Sequence, residues 1–241
     1  MANAIILIRS ILFSIVFWPV FILYITLMLP ITYFASQKFV HVYIYRICTQ
    51  YLLICLKYIC NIEYKIENKE YLKRDTLVII GCNHQSAWET FIFSLFFDEL
   101  SIVIKKELLD LPIAGLYFRR LGCIPIDRTS PIVAIKTLVK SSNIAKIKNQ
   151  NILIFPNGTR SVDDEHTEYK VGIYAIYSHL NVPVIPAHVD SGKCWARKSF
   201  LKNPGTITLK FNKPIEPGLS KEEFMNTFSN TNKESIISSN A

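Results

Sequence analysis

The rhythm of apolar and polar positions changes once along this chain. From Ser10 to Gln37 no side chain is charged, a run of 28 residues, and no Asp or Glu occurs before Glu63. Such a run is long enough to cross a bilayer core, which takes roughly 20 apolar residues. Pro19 and Pro30 lie inside it, and each can kink or break a helix by removing a backbone donor. The pattern therefore fits one kinked span, or a helical hairpin that dips into one leaflet. Arg9 before the run and Lys38 after it do not fix its orientation. A cleaved signal peptide fits poorly, because its apolar stretch is shorter, about 7 to 15 residues. The next segment, Phe39 to Ile62, mixes Tyr43, Tyr45, Tyr51 and Tyr58 with Arg46 and Lys57 among Leu and Ile. That mixture suits a helix at a lipid interface, or a core helix of a soluble domain.

After Glu63 the apolar runs shorten and become β-branched. They predict strands at Ile62 to Ile66, Thr76 to Ile80, Ser101 to Ile104, Cys123 to Ile126, Ile152 to Phe155, Val182 to Val189 and Thr206 to Phe211. Helical patterns lie between them: Ala87 to Phe97, Leu108 to Arg120, Pro131 to Lys148, Glu168 to Leu180 and Lys221 to Phe228. Ser130 followed by Pro131 marks one helix start, serine as cap and proline at the first helical position. The alternation predicts an α/β fold, a mixed central sheet flanked by helices on both faces, with an apolar, membrane-associated N-terminal helical segment. The expected division is residues 1–61 for that segment, 62–228 for the α/β domain and 229–241 for a polar, frayed tail. Prolines within Val182 to Val189 predict that this strand lies at an edge or a bend.

Charge and cysteine content narrow the picture. The formal net charge of +8 divides into four basic residues before Glu63 and 23 basic against 19 acidic after it. A basic chain can bind nucleic acid or an anionic membrane, and the attached apolar segment selects the membrane over nucleic acid. Six cysteines without CxxC spacing read as reduced, buried thiols facing a cytosol, neither a disulfide framework nor a zinc site. Asp163-Asp164-Glu165-His166 reads as a solvated acidic loop, because adjacent loop residues do not easily converge on one ion, so no metal is expected.

Three blocks carry candidate chemistry. In NHQSAWE, His84 and Glu89 are five positions apart. On a regular helix that separation turns the two side chains about 140° from one another. They meet only if His84 lies in the loop before the helix and Glu89 in its first turn. Ser86 as cap supplies that arrangement, and Ser-x-x-Glu is also the capping-box pattern. Glu89 then either orients the His84 imidazole as a general base or bonds the Ser86 backbone N–H; the expectation is that it faces the ring. In GCIPIDR, Arg128 at the end of a strand presents a planar fork suited to phosphate oxygens, while a structural salt bridge of Asp127 with Arg128 or Arg120 is the plain alternative. In FPNGTRS, Asn157-Gly158 favours a tight turn. Backbone N–H groups there, with Thr159 and Arg160, make a small anion cradle, or the segment is an ordinary surface turn. His84, Arg128 and Arg160 each follow a predicted strand by a few residues, so all three could face one crevice at the strands' carboxyl ends. His188, inside a predicted strand, reads as a core histidine.

In their order and spacing, NHQSAWE, IKKEL, GCIPIDR, FPNGTRS and VPVIPAHVDSG resemble the glycerolipid acyltransferase family, specifically bacterial 1-acyl-sn-glycerol-3-phosphate acyltransferases. The resemblance runs from about Thr76 to Ile215. It implies acyl transfer from acyl-CoA or acyl-ACP, the acyl carrier protein thioester, to the sn-2 hydroxyl of lysophosphatidic acid, giving phosphatidic acid in phospholipid biosynthesis. It also implies a catalytic pair of His84 and Glu89, with Lys105, Arg128, Gly158, Thr159 and Arg160 holding the acceptor phosphate. No cofactor beyond the thioester co-substrate and no metal are implied, and the expected location is the cytoplasmic face of a bacterial inner membrane. One departure stands out: the third block usually reads Phe-Pro-Glu-Gly-Thr-Arg, and Asn157 replaces the Glu. Two alternatives follow from it, an acyltransferase acting on a different lyso-lipid or a weakly active lipid-binding membrane protein.

Overall fold

The computed structural model describes residues 2–73, 76–127, 129–160 and 169–240. It opens with α1 (Ala2–Leu27), which runs unbroken through Pro19, and then turns at Met28 into α2 (Leu29–Phe34), where Pro30 occupies the first turn. Proline fits there because the first helical N–H groups have no partner to lose. A third turn, α3 (Gln37–Phe39), passes through a π-helical segment, Val40–Tyr45, into α4 (Arg46–Cys60). Two stretches, Asn3–Leu27 and Gln37–Cys60, are long and apolar enough to cross a membrane.

Seven strands follow: β1 (Ile62–Glu67), β2 (Ile79–Cys82), β3 (Leu100–Lys105), β4 (Ile124–Ile126), β5 (Asn151–Ile154), β6 (Val184–Val189) and β7 (Gly205–Phe211). They form one sheet in the order β1-β7-β6-β2-β5-β3-β4. Every pairing is parallel except β6 with β7, so the sheet is mixed as expected. The helices of the domain are α5 (Trp88–Ile92), α6 (Ala114–Arg120), α7 (Pro131–Ile147), α8 (Gly172–Leu180) and α9 (Lys221–Asn240). One core lies between the sheet and the N-terminal helices, with Phe13, Phe17, Leu52, Leu56, Trp88 and Phe211 among its buried side chains. The other lies under α7, α8 and α9, with Leu138, Ile173, Tyr177 and Phe224. Central strands read as apolar runs, IIGC in β2 and Ile152-Leu153-Ile154 in β5, because helices cover both faces. Gly81 in β2 has no room for a side chain: a Cβ there would lie 2.5 Å from Ile173 Cδ1.

The N-terminal segment is braced by an aromatic stack of its own and fastened to the domain at several points. Phe13, Phe17, Phe21 and Tyr51 stack at ring separations of 5.1 to 5.6 Å. Each buried aromatic of this kind contributes roughly 1.5–3 kcal/mol. Near the start of α1, Ser10 Oγ accepts from the Lys202 backbone N–H at 3.0 Å, and the buried Lys202 ammonium sits over the rings of Phe13 and Trp195 at 4.7 and 4.9 Å. At its other end Tyr117 Oη donates to Ile25 O, and just beyond that end Arg120 donates to Thr32 O and Ala35 O. Arg120 is thus engaged by α2 and its exit, not by Asp127.

Two expectations are corrected. β6 is an interior strand, flanked by β2 and β7. Its Pro186 falls between two antiparallel pairings, Val184 with Ile215 and residues 187–189 with 209–211, so the missing N–H interrupts neither. The tail does not fray at Ser229: α9 continues to Asn240, and Asn232 and Ser235 are buried, with Ser235 Oγ bonded to Asn212 Oδ1 at 3.0 Å. None of the six cysteines is in a disulfide; five are buried and Cys123 is half-buried.

Candidate functional site

β2, β5, β3 and β4 run parallel and adjacent. Their carboxyl ends therefore deliver the loops after Cys82, Ile154, Lys105 and Ile126 to one end of the sheet. The loop after β2 is clamped to the exit of β6. Asn83 exchanges two hydrogen bonds with the Val189 backbone, at 2.7 and 2.8 Å, and Gln85 Oε1 accepts from Gly192 N at 2.8 Å. Between these two clamps stands His84.

The His84 ring lies against Phe155, the first residue after β5, with centroids 4.1 Å apart and planes inclined by 20°. Its two nitrogens face different partners. Nε2 accepts from Arg160 Nε at 3.1 Å. Nδ1 is buried without a hydrogen-bond partner, 3.8 Å from Glu89 Oε1. Acceptance at Nε2 leaves the ring proton on Nδ1, the tautomer that points it at the carboxylate.

Glu89 corrects the expectation about its main partner. It is fully buried in the first turn of α5, as the spacing requires, but its carboxylate is bonded to backbone. Oε1 accepts from Gln85 N at 2.6 Å and from Ser86 N at 2.9 Å, and Oε2 from Ser86 N at 3.1 Å. Ser86 Oγ in turn accepts from Trp88 N at 2.9 Å. The reason is steric economy: two orphan N–H groups at a buried helix start have no water to turn to, and a carboxylate satisfies both. Burial acts to raise the pKa of Glu89, but the neighbouring His84 and the Gln85 and Ser86 N–H groups outweigh it and hold the carboxyl below its usual range. An anion is thereby fixed beside Nδ1 at neutral pH.

The turn after β5 is tight, with Gly158 N bonded to Phe155 O at 3.0 Å and Gly158 at φ +73°, a conformation that favours glycine. Thr159 is exposed, and its Oγ1 accepts from Arg197 Nη1 at 2.9 Å; the same nitrogen reaches Arg160 O at 3.3 Å. Burial, with Arg197 nearby, lowers the Arg160 pKa, and Glu89 acts to raise it; an arginine nonetheless stays charged. Asn157 is buried, and neither its Oδ1 nor its Nδ2 has a hydrogen-bond partner. Lys105, at the end of β3, is paired with Glu107 at 3.0 Å. Asp127 accepts from Thr129 N and Oγ1, and these bonds, with Lys106 nearby, hold its carboxyl below the usual range. Arg128 and the acidic cluster at 163–166 lie outside the described residues. Among the described residues, no three His, Cys, Asp or Glu side chains are grouped to hold a metal ion.

The structure thus brings His84, Glu89 and Arg160 together and leaves Lys105 in a separate ion pair. It adds four residues that the sequence reading did not single out: Asn83 and Gln85 as clamps, Phe155 as the ring's support and Arg197 against Thr159. The clamps had a signal, since polar residues on either side of His84 follow a strand buried on both faces. Arg197 had none, because it comes from a loop 37 residues away.

A sequence model described as Acyltransferase matches residues 63–190 of the chain. Among similar proteins, a 1-acyl-sn-glycerol-3-phosphate acyltransferase of Pseudomonas aeruginosa is 36% identical over 149 residues, 62% of this chain and 58% of that protein. One of Cocos nucifera with the same name is 28% identical over 165 residues, 68% of this chain and 53% of that protein. The chain therefore spans little more than half the length of these relatives. The crystal structure of the 1-acyl-sn-glycerophosphate (LPA) acyltransferase PlsC from Thermotoga maritima shares the fold, with a TM-score of 0.71, 20% identity, and coverage of 96% of this chain and 97% of that one.

Proposed function

The chain belongs to the acyltransferase family, and from that premise we propose that it moves an acyl group from an acyl thioester, acyl-CoA or acyl-ACP, to the sn-2 hydroxyl of lysophosphatidic acid. The product is phosphatidic acid, made at the cytoplasmic face of a bacterial inner membrane. The observation that carries the reading is the His84 ring, supported on Phe155, with Glu89 on one side and the Arg160 guanidinium on the other.

In this reading the acceptor's phosphate draws Arg160 away from Nε2, because a phosphate is a far stronger partner for a guanidinium than a neutral imidazole. The sn-2 hydroxyl takes the vacated place. His84 Nε2 accepts its proton as the oxygen attacks the thioester carbonyl. The carbon–oxygen bond forms, the carbon–sulfur bond breaks, and the departing thiolate recovers the proton from the imidazolium. Glu89 stabilises that imidazolium through Nδ1, closing from 3.8 Å as the ring becomes charged. Arg160 and Arg197, with Arg128 of the neighbouring loop, hold the phosphate so that the hydroxyl is positioned as well as bound. No covalent acyl-enzyme is required.

Purified protein in detergent, given labelled acyl thioester and lysophosphatidic acid, tests the reading. His84→Ala is expected to lower product formation by roughly 10²- to 10⁴-fold; equal product from wild type and His84→Ala sinks it. A second reading, a lyso-lipid with another headgroup as acceptor, is favoured by one observation: Asn157 offers an unpartnered buried donor and acceptor beside the Gly158-Thr159-Arg160 turn. If Asn157→Glu creates activity on lysophosphatidic acid that the wild type lacks, the second reading stands.

A further inference from the structure

We propose that Tyr45 is a positioning residue for the His84 and Glu89 pair, acting through the Thr90 carbonyl on the short helix that carries Glu89. The proposal rests on the reaction put forward above. From its sequence, the stretch around Tyr45 suits a lipid-interface helix or a core helix, with no part in the chemistry. In the structure its polar side chains are turned on α5. Tyr45 Oη donates to Thr90 O, and its ring packs on Phe91 with centroids 5.9 Å apart, which fixes the hydroxyl's approach. One turn further on, Thr49 Oγ1 lies 3.1 Å from Phe91 O and 2.7 Å from Ser94 Oγ. Arg46 Nε donates to Ser94 O at 3.0 Å, and its Nη2 to Phe97 O at 3.1 Å. At about 100° per residue, positions 45, 46 and 49 fall within about 100° of one another. One side of one turn therefore holds the trailing end of α5 and the segment after it.

α5 depends on outside fixings because it is only five residues long and runs at once into a 3-10 turn, Phe93–Leu95. In so short a helix most carbonyls belong to the last turn, where intrahelical partners are missing. Its leading end is fixed by different contacts, the Gln85 and Ser86 amides on the Glu89 carboxylate. Glu89 thus stands between the loop amides in front and the anchored Thr90 carbonyl immediately behind. The loop that carries His84 is held by the Asn83 and Gln85 clamps. The 3.8 Å between Nδ1 and Oε1 is therefore set from the α5 side. That gap already exceeds hydrogen-bond length, so a small drift of α5 decides whether the carboxylate can close on the imidazolium.

The same helix supplies a control. Tyr51 Oη donates to Val16 O of α1 at 2.9 Å, a bond of the same kind that does not touch α5. The test measures kcat and KM of the full chain in detergent, with labelled acyl thioester and lysophosphatidic acid, alongside hydrogen exchange of the amides at 83–90, which needs no turnover. Tyr45→Phe should lower kcat about 5- to 10-fold, the rate equivalent of one buried hydrogen bond. KM for lysophosphatidic acid should not change, since Arg160 and Arg197 are untouched. Exchange of the Gln85 and Ser86 amides, which donate to Glu89, should quicken by a similar factor. Tyr51→Phe should do neither. In a Glu89→Gln background Tyr45→Phe should cost no further kcat, because both changes act through one carboxylate. Equal loss of kcat in both tyrosine variants, or a Tyr45→Phe loss that multiplies in full with Glu89→Gln, makes the contact merely structural and overturns the proposal. Unchanged exchange in Tyr45→Phe overturns it whatever the activity. Faster exchange in a chain that transfers no acyl group supports the positioning contact and removes the reaction instead, so the two readings fail separately.

Discussion

At the residue scale, Glu89 serves the fold and the proposed reaction with one carboxylate, and the geometry separates the two. Oε1 and Oε2 take three hydrogen bonds from the Gln85 and Ser86 backbone, which is structural, while in the proposed reaction the charge 3.8 Å from His84 Nδ1 stabilises the imidazolium. Glu89→Gln keeps the shape but places an NH2 where an acceptor was. A loss of about 1–3 kcal/mol in stability is expected from the N–H left unpaired, together with a kcat lowered about 100-fold or more; urea unfolding and steady-state rates measure the two. A variant that loses stability and keeps kcat reduces Glu89 to a helix starter. Arg160 makes a second prediction. Its Nε occupies the His84 lone pair that accepts the hydroxyl proton in the proposed reaction, so in that reading it also keeps water from the base when no acceptor phosphate is near. Arg160→Ala should therefore lose acyl transfer yet release free thiol from acyl thioester faster than wild type in the absence of acceptor, followed with a thiol reagent. No faster release would falsify this guarding role. Neither contact was legible from spacing. The five-residue separation of His84 and Glu89 shows that they can meet, but their partners depend on a loop path set by Asn83 and Gln85 holding on to Val189 and Gly192.

At the element scale, the chain announces its strands well and its polar interiors poorly. Runs such as Ile152-Leu-Ile154 read directly, because a strand covered on both faces must be apolar throughout. The edge strand β1 alternates instead and is largely exposed on one side. The predicted helix over Leu108 to Arg120 divides into a 3-10 turn and α6 around Pro112, since the residue before a proline is driven out of the α region. α9 outran its apolar pattern, which stops at Phe228, because Asn232 and Ser235 are buried through polar contacts that hydrophobic periodicity does not register. β6 holds the clearest consequence. His188 is buried at 4% exposure, its Nδ1 has no partner, and burial pushes its pKa down to about 4, with Asp190 raising it and Lys210 lowering it. A neutral histidine in the folded state and a chargeable one in the unfolded state means that stability is full above pH ~6.5 and falls as pH drops toward ~4. The loss across that window is about 3 kcal/mol. Urea midpoints measured from pH 7 to 5 should decline in wild type and stay flatter in His188→Leu; parallel curves refute the assignment.

At the scale of the whole molecule, the question is how a 26-residue apolar helix relates to a bilayer when it is also part of a folded domain. α1 spans about 39 Å at 1.5 Å per residue, enough to cross. Yet it is fastened near both ends to the same α/β body: Ser10 and Phe13 to Lys202 and Trp195, and Ile25, Thr32 and Ala35 to Tyr117 and Arg120. A helix crossing the bilayer would drag one of those attachment regions, with the polar surface around it, through the hydrocarbon. Every backbone and charged group there would then lack water, at several kcal/mol apiece. Lying along one leaflet costs nothing comparable, because the outward face of α1, including Ile8, Ile15 and Leu23, is exposed and apolar. Both ends of the hairpin must then emerge on the side of the bilayer that carries the α/β domain. Asn3→Cys and Lys38→Cys, both at exposed positions, report this directly in enzyme bound to sealed vesicles. A membrane-impermeant thiol reagent added outside should label both to the same extent, and lysing the vesicles should add nothing. If Asn3→Cys is labelled only after lysis while Lys38→Cys is labelled before it, α1 crosses the bilayer, and its attachments to Lys202 and Trp195 do not persist in the membrane-bound enzyme.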